Sequence, residues 1–180
     1  MDLVRSLAEL DEATELHAAR LLVLLGVFAG TEGTNRIQGL TKLAKLDFLL
    51  RYPVMLERAL AAKKISTRQV RIEKHERDSV ESGMVRYRFG PWDHRYRVLV
   101  NILIAKGLAE ISIEGRTVSV GITPVGLDIF RKLAEQEVFE PYVRRSALLR
   151  QHFDLTATNL MRFIYDTFPE ILSLRSNEVI

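Results

Sequence analysis

The chain has 180 residues, of which 47% are apolar and 27% are charged. This balance excludes a disordered tail, a collagen-like repeat and a disulfide-stapled miniprotein, because this much apolar surface fills the core of one domain. The net charge of +3 is too small to indicate a nucleic-acid-binding protein by itself. The sequence contains no cysteine, which excludes thiol catalysis and thiolate zinc sites and is typical of a reducing compartment. We therefore expect a cytoplasmic protein.

The amino-terminal third predicts helices and no membrane segment. Its first residues are acidic, unlike a secretory signal. The apolar run at residues 21–29 is far shorter than the roughly 20 residues that cross a bilayer, so we expect a buried helix over residues 13–29 that ends at Gly30. Leucines at helical spacing predict a second helix over residues 40–50, ended or kinked by Pro53, and a third helix to about residue 63.

Residues 63–97 concentrate the positive charge, with ten Lys or Arg against five acids, a net charge of +5. A solvated basic insertion over residues 63–90 is one interpretation, and a phosphate-facing patch is the other. Residues 85–89 alternate arginine with apolar side chains, which predicts a short strand with a basic outer face. The candidate DNA backbone contacts are Lys42, Lys45, Arg86, Arg88, Arg95 and Arg97. For Lys42 and Lys45, ordinary solvated lysines are the alternative.

The second half of the chain shows clear local signals. We predict a helix over residues 93–106 that Gly107 ends, and then a β-hairpin over residues 110–122 with its turn at Glu114 and Gly115. Thr123 and Pro124 are typical of a helix start, and we expect Val125, Ile129, Phe130 and Leu133 on one side of that helix. Further helices are predicted over about residues 141–152 and 156–168.

This order of elements resembles a winged helix-turn-helix. The resemblance lies in residues 102–108 as the end of the third helix, residues 111–122 as the wing, and residues 123–126 as the start of the next helix. It implies a mainly α fold with a small β-hairpin and with added amino- and carboxy-terminal helices. The chain then forms a single domain over residues 1–180, with winged-helix elements at about 39–137 and a carboxy-terminal helical extension at 138–170.

A narrower resemblance rests on residues 40–53, LTKLAKLDFLLRYP, and residues 89–96, FGPWDHRY. Both segments resemble the middle component of bacterial ABC three-component conflict systems, of which Lamassu-type antiviral and anti-plasmid defence is one branch. The resemblance covers most of residues 15–170. It implies a small non-catalytic adaptor subunit beside an SMC-like ATPase and a separate effector, commonly a nuclease, with non-specific contact to double-stranded DNA within the complex.

Two other function classes are weighed against this one. A stand-alone winged-helix transcription regulator is the alternative, but the predicted helix at 93–106 offers only His94, Arg97 and Asn101 as a polar face, few groups for reading bases. An enzyme is disfavoured because the sequence has no phosphate-binding loop, dinucleotide turn, serine elbow or spaced metal ligands. We therefore expect no catalytic residue, no cofactor and no metal.

The candidate partner interface has two parts. The Trp92 side chain either packs over the core or forms the main contact with a partner protein. The carboxy-terminal helices carry more apolar residues than one packing face requires, so they either extend the core or contact a larger partner inside a rim of arginines. The candidate residues are Trp92, Arg144, Arg145, Leu149, Arg150, Met161, Tyr165 and Phe168. We also expect Asp47 to form a surface ion pair near Lys45.

Overall fold

The computed structural model describes residues 3–78, 85–87, 90–92 and 95–173, with side chains over 14–77 and 95–173. Within these ranges the chain is mainly helical and carries one small antiparallel sheet. The first half contains α1 (Leu3–Ala29), β1 (Ile37–Gln38), α2 (Leu40–Arg51), α3 (Pro53–Ala62), α4 (Lys74–Asp78), β2 (Val85–Tyr87) and β3 (Gly90–Trp92). The second half contains α5 (Tyr96–Ala105), β4 (Ala109–Glu114), β5 (Thr117–Ile122), α6 (Pro124–Ala134), α7 (Glu140–Phe153), α8 (Ala157–Thr167) and α9 (Pro169–Ser173).

Helix α1 forms the centre of the fold, packed against α5, α6 and α7. Leu21, Leu22 and Leu24 are buried on different sides of this helix, as its nearly all-round apolar second half predicts. Gly30 and Gly33 have positive φ angles and end the helix at the predicted place. The helix begins at Leu3, ten residues before the predicted start.

The sheet has the strand order β1-β5-β4 and is antiparallel throughout. Strands β4 and β5 confirm the predicted hairpin, with a turn at residues 115–116. Strand β1 was not predicted; its Ile37 pairs with Val120, which in turn pairs with Ile111. These three side chains share one face of the sheet, and the buried Ile37 and Val120 join that face to the helical core.

The helix after the hairpin begins as predicted. Thr123 is its N-cap, and the Thr123 hydroxyl accepts a hydrogen bond of 2.9 Å from the Gly126 amide. Ile129, Phe130 and Leu133 pack against the core, but Val125 is exposed. The prediction that Val125 belongs to the packed side was therefore wrong, because the first turn of α6 packs through the buried Gly126, beside Leu108 and Ile122.

The segment between α2 and α5 holds the predicted basic insertion. Pro53 begins α3 at its first turn, where no backbone donor is needed. The strand predicted at residues 85–89 is confirmed as β2 over Val85–Tyr87, and residues 88–89 lie outside the described residues. Gly90 and Pro91 begin β3, whose Trp92 pairs with Val85. Strand β3 lies against α2.

The carboxy-terminal helices pack onto α1, α2 and α3. Their apolar surplus enters the core, with Leu148, Leu149, Phe153, Leu160, Ile164 and Phe168 all buried. Phe168 meets Phe48 of α2 edge-on at 5.8 Å between ring centroids. Of the two interpretations of this surplus, the extended core is confirmed. In the part of the chain that the structure describes, every helix is too short or too polar to cross a membrane.

Replacement of Gly126 by alanine is expected to lower the free energy of unfolding by about 1–3 kcal/mol, because overpacking forces backbone shifts. A Cβ atom there would lie 1.9 Å from the Leu108 carbonyl oxygen, which also accepts the Thr123 amide. Urea unfolding measures the loss. The control is Asn101→Ala, an exposed mid-helix change expected to stay within about 0.5 kcal/mol of wild type. Equal stability of Gly126→Ala and wild type would contradict the packing described here.

Candidate functional site

The two candidate lysines of α2 are buried, so the expectation that they contact phosphates or solvent is corrected. Lys42 forms an ion pair of 2.6 Å with Asp154 at the end of α7. The Lys45 side chain is among the largest fully buried ones, and burial lowers its pKa to about 8. Because β3, α7 and α8 pack over α2, neither ammonium is presented to a DNA backbone.

Of the other candidate DNA contacts, Arg97 is exposed on α5 and Arg95 is half-buried just before it. The side chains of Arg86 and Arg88 lie outside the described side chains, so their contact with a DNA backbone stays a prediction. The structure therefore leaves Arg97 as the one candidate with a described, exposed side chain. A single exposed guanidinium on this helix gives little capacity to neutralise phosphates.

Helix α5 buries one side and exposes another. Tyr96, Leu99 and Leu103 are buried, whereas Val98 is 55% exposed, and Arg97 and Asn101 are exposed as well. The exposed face carries two polar side chains among the described residues of the helix, which is few for base-specific readout.

Arg145, predicted as an interface residue, is 1% exposed. Its Nη1 and Nη2 donate to both carboxylate oxygens of Glu76, at 2.6 and 2.8 Å. Its Nε donates to the Val70 carbonyl at 3.0 Å, and Nη2 donates to the Arg71 carbonyl at 2.9 Å. This guanidinium therefore holds the loop before α4 onto α7, and the prediction that Arg145 forms an exposed rim was wrong.

The neighbouring arginines also hold the fold together. Arg144 donates from Nε to the Gln69 carbonyl at 2.9 Å and forms an ion pair with Glu140. Arg150 donates from Nη1 to the Val27 carbonyl at 3.2 Å, near the end of α1. These contacts tie α7 to the preceding insertion and to α1, so the two side chains have structural partners within the chain.

Among the side chains that the structure describes, the remaining residues of the predicted interface do not come together as an exposed surface. Leu149 and Phe168 are fully buried in the core, which contradicts their prediction as contact residues. Met161 and Tyr165 on α8 are half-buried. The Trp92 side chain lies outside the described side chains, so its two interpretations stay open.

A buried ionic cluster joins α1, α2 and α5, and the sequence did not reveal it. Arg20 donates from Nε and Nη2 to the Asp47 carboxylate at 2.7 and 3.0 Å, and the Tyr96 hydroxyl donates to the same carboxylate at 2.5 Å. The predicted surface ion pair of Asp47 was therefore wrong. Burial and the Asp47 charge raise the pKa of Tyr96 well above its usual value. Burial and the nearby Arg20 lower the pKa of His17 to about 4.

The outer end of the hairpin is the most exposed apolar feature among the described side chains. Ile113 is 70% exposed and Ile111 is 43% exposed, on the same face as the buried Val120. The opposite face carries Glu110, which pairs with Arg36, and the exposed Glu114. Single exposed apolar residues are ordinary, but two on one strand beside unpaired backbone form a recognisable binding element.

An apolar groove of about 410 Å³ lies between α1, α5 and α6. Ala18, Leu22, Ile102, Ile129 and Leu133 line it. Across the described residues, no three histidine, aspartate or glutamate side chains gather as metal ligands. The groove has the shape for an apolar ligand or helix, and Thr14, Glu15 and Lys106 add polar and charged groups to its lining.

No protein-family model, curated protein or solved structure matches this chain.

Proposed function

We propose that the chain is a winged-helix adaptor without catalytic activity, which links an SMC-like ATPase to an effector, commonly a nuclease, in bacterial defence against phage or plasmids. The observation that supports a winged-helix fold is the sheet order β1-β5-β4. A strand between the first two helices that pairs with the last strand of the hairpin is the arrangement of a winged helix. Helix α5 directly precedes β4, in the place of the third helix, and the segment between α2 and α5 is then an insertion.

The exposed chemistry of the hairpin supports a protein partner over a nucleic acid. Strand β4 combines the exposed Ile111 and Ile113 with the acidic Glu110 and Glu114, and the turn of the hairpin adds one basic residue, Arg116. Carboxylates repel phosphates, and apolar side chains gain from burial against protein. The hairpin of a DNA-binding winged helix is expected to be basic instead. The proposed partner family rests on the resemblance of residues 40–53 and 89–96. The exposed hairpin is a second observation that supports a protein partner.

A stand-alone DNA-binding regulator is the second candidate. Arg97 and Asn101 are exposed on α5, and Arg116 is exposed in the hairpin turn. Exposed arginines favour weak binding to the phosphates of duplex DNA, and the exposed face of α5 offers few groups to select a sequence. DNA contact within the assembled complex is compatible with both candidates.

Co-expression tests the adaptor function. The tagged chain is produced together with the products of its neighbouring genes, and the purified material is sized by light scattering after gel filtration. We expect a stoichiometric complex with a large ATPase that survives 300 mM NaCl. If the chain purifies alone as a monomer or homodimer while the ATPase is soluble in the same cells, the adaptor function is wrong. The function of a stand-alone DNA-binding regulator is then favoured.

DNA binding by the isolated chain is expected to be weak, with a Kd in the range of about 10⁻⁴ to 10⁻⁶ M that is typical of non-specific binding. Arg97→Ala should lower the affinity alike for two unrelated 30-base-pair duplexes and reduce the salt slope by about one. Fluorescence anisotropy at several salt concentrations measures both quantities. The matched control is Arg162→Ala, an exposed arginine on α8. Tight binding to one duplex at physiological salt would favour the regulator.

A further inference from the structure

Strand β4 is the outer strand of the three-stranded sheet. Strand β5 pairs with one of its edges, and within the described ranges no strand pairs with the other. Residues 110–114 of β4 are exposed or half-buried, whereas Ala109 at its start is buried. An accessible strand edge of five residues is a template for an added strand unless something blocks it. The segment contains no proline, lysine or arginine that would block pairing.

The hairpin turn fixes which backbone groups are free. Glu114 and Thr117 close a two-residue turn, in which Gly115 has a φ of +61° at the first central position. The closing pair of such a turn exchanges hydrogen bonds, and the pattern alternates along the strands. Glu110, Ser112 and Glu114 therefore direct their backbone groups at β5. Ile111 and Ile113 direct their amides and carbonyls outward, away from the sheet.

The same five residues present different chemistry on the two sides of the strand. Ile111 and Ile113 project on one side, 43% and 70% exposed. Glu110, which has Arg36 as its neighbour, and the exposed Glu114 project on the other. A strand added along this edge places alternate side chains beside each set. Apolar side chains suit the isoleucines, and basic side chains suit the glutamates.

We propose that the free edge of β4 binds an extended segment of a partner protein in which apolar residues alternate with lysine or arginine, by adding it to the sheet as a fourth strand. Backbone hydrogen bonds to Ile111 and Ile113 supply affinity, and the exposed Glu114 supplies most of the selectivity, since Arg36 already pairs with Glu110. This inference deepens the proposed function, on which it rests for the partner's identity, since it assigns the docking surface of the adaptor and the chemistry of the partner segment.

A second copy of this chain is a poorer occupant of the edge. Two β4 strands that pair antiparallel over the accessible residues 110–114 are centred on Ser112. That register places Glu110 of each copy directly opposite Glu114 of the other, and like charges in such cross-strand positions are destabilising. A partner strand with basic residues at these two positions replaces the repulsion with attraction.

The test uses the full chain, labelled with ¹⁵N, and two seven-residue peptides, one alternating valine with lysine and one alternating valine with glutamate. In 50 mM NaCl we expect the lysine peptide to bind at least tenfold more tightly, with its largest amide shifts at Ile111 and Ile113. In 1 M NaCl the difference should shrink, because salt screens exposed charges. Equal binding of the two peptides, or shifts confined to other elements, would overturn the proposal.

Variants of the chain distinguish strand addition at the β4 edge from non-specific peptide binding. Ile113→Pro removes an outward amide without loss to the β4–β5 ladder, so it should weaken lysine-peptide binding at least tenfold, while Ile113→Val keeps the amide and the affinity. Glu114→Lys should shift the binding preference of the chain toward the glutamate peptide. This variant tests the proposal even if Ile113→Pro fails to fold. Unchanged binding by Ile113→Pro would overturn the proposal. So would a homodimer that Ile113→Pro abolishes, since a second copy would then occupy the edge.

The peptide titration tests the β4 edge and the co-expression experiment tests the adaptor function, so either claim can fail while the other holds. Loss of peptide binding with an intact ATPase complex removes only the assignment of the β4 edge. Peptide binding without any complex removes the adaptor function and leaves a strand-binding domain.

Discussion

Replacement of Arg145 by methionine is expected to lower the free energy of unfolding by about 3–5 kcal/mol, since it removes a buried guanidinium that donates four hydrogen bonds, two of them to the half-buried Glu76 carboxylate. Methionine keeps most of the volume but removes every donor. The Glu76 carboxylate then keeps the Glu73 amide as a donor, the Val70 carbonyl keeps a long bond of 3.4 Å from Arg144, and the Arg71 carbonyl loses the Arg145 donor. The loop before α4 loses its main tie to α7.

Urea unfolding followed by circular dichroism measures this loss. The control is Arg150→Met, which removes an exposed arginine with one backbone hydrogen bond and should cost less than about 1.5 kcal/mol. A stability of Arg145→Met within 1 kcal/mol of wild type would contradict the structural role of this guanidinium.

The same ion pair predicts a dependence of stability on pH. Burial raises the pKa of Glu76, but hydrogen bonds from Arg145 and from the Glu73 amide more than offset this, so the pKa lies below its ordinary value. A carboxyl whose folded pKa is depressed contributes stability above its unfolded pKa of about 4.3 and loses it as pH falls through the folded pKa. Wild type should therefore lose more stability than Arg145→Met between pH 7 and pH 3. An equal loss in both would contradict the pairing.

Replacement of Asp47 by alanine is the second change with a large expected effect, about 3–5 kcal/mol. Arg20 is buried, and a guanidinium does not lose its proton in a protein, so Arg20 stays charged in the variant without the carboxylate that pairs with it. The Tyr96 hydroxyl also loses its acceptor. The three helices that meet at this carboxylate would be joined only by apolar packing there.

A double-mutant cycle tests the Asp47 prediction. The pair Asp47→Ala and Arg20→Met together should cost less than the sum of the two single changes, because the double variant leaves no unpaired buried charge. Glu110→Ala, which breaks the exposed pair with Arg36, is the control and should cost less than about 1 kcal/mol. Additive single effects would show that the cluster is not coupled.

Most of the helices and the hairpin were predictable because their signals are local. The alternation across residues 110–122 and the Thr123 N-cap depend on neighbours in sequence. Strand β1 was missed because two residues show no periodicity, and Ile37 becomes a strand only through Val120, which is 83 residues away. Pairing over that distance leaves no local pattern.

The candidate site was less predictable because a charged side chain does not reveal its partner. Asp47 lies 27 residues from Arg20, and Glu76 lies 69 residues from Arg145, so both pairs looked like surface charges. Arg145 and Leu149 also share one face of α7, which resembles an arginine-rimmed interface when the covering segments are unknown. The free edge of β4 became visible only once the strand order placed it on the outside.

Hydrogen exchange of the chain, alone and within the co-expressed complex, tests the central claim most directly. It reports in one measurement whether a larger subunit binds and where. We expect slower exchange in the complex at Ile111 and Ile113, whose amides face outward, and little change in α7 and α8, which are already packed within the chain. Protection confined to α7 and α8, or no stable complex to measure, would contradict an adaptor that docks through its hairpin edge.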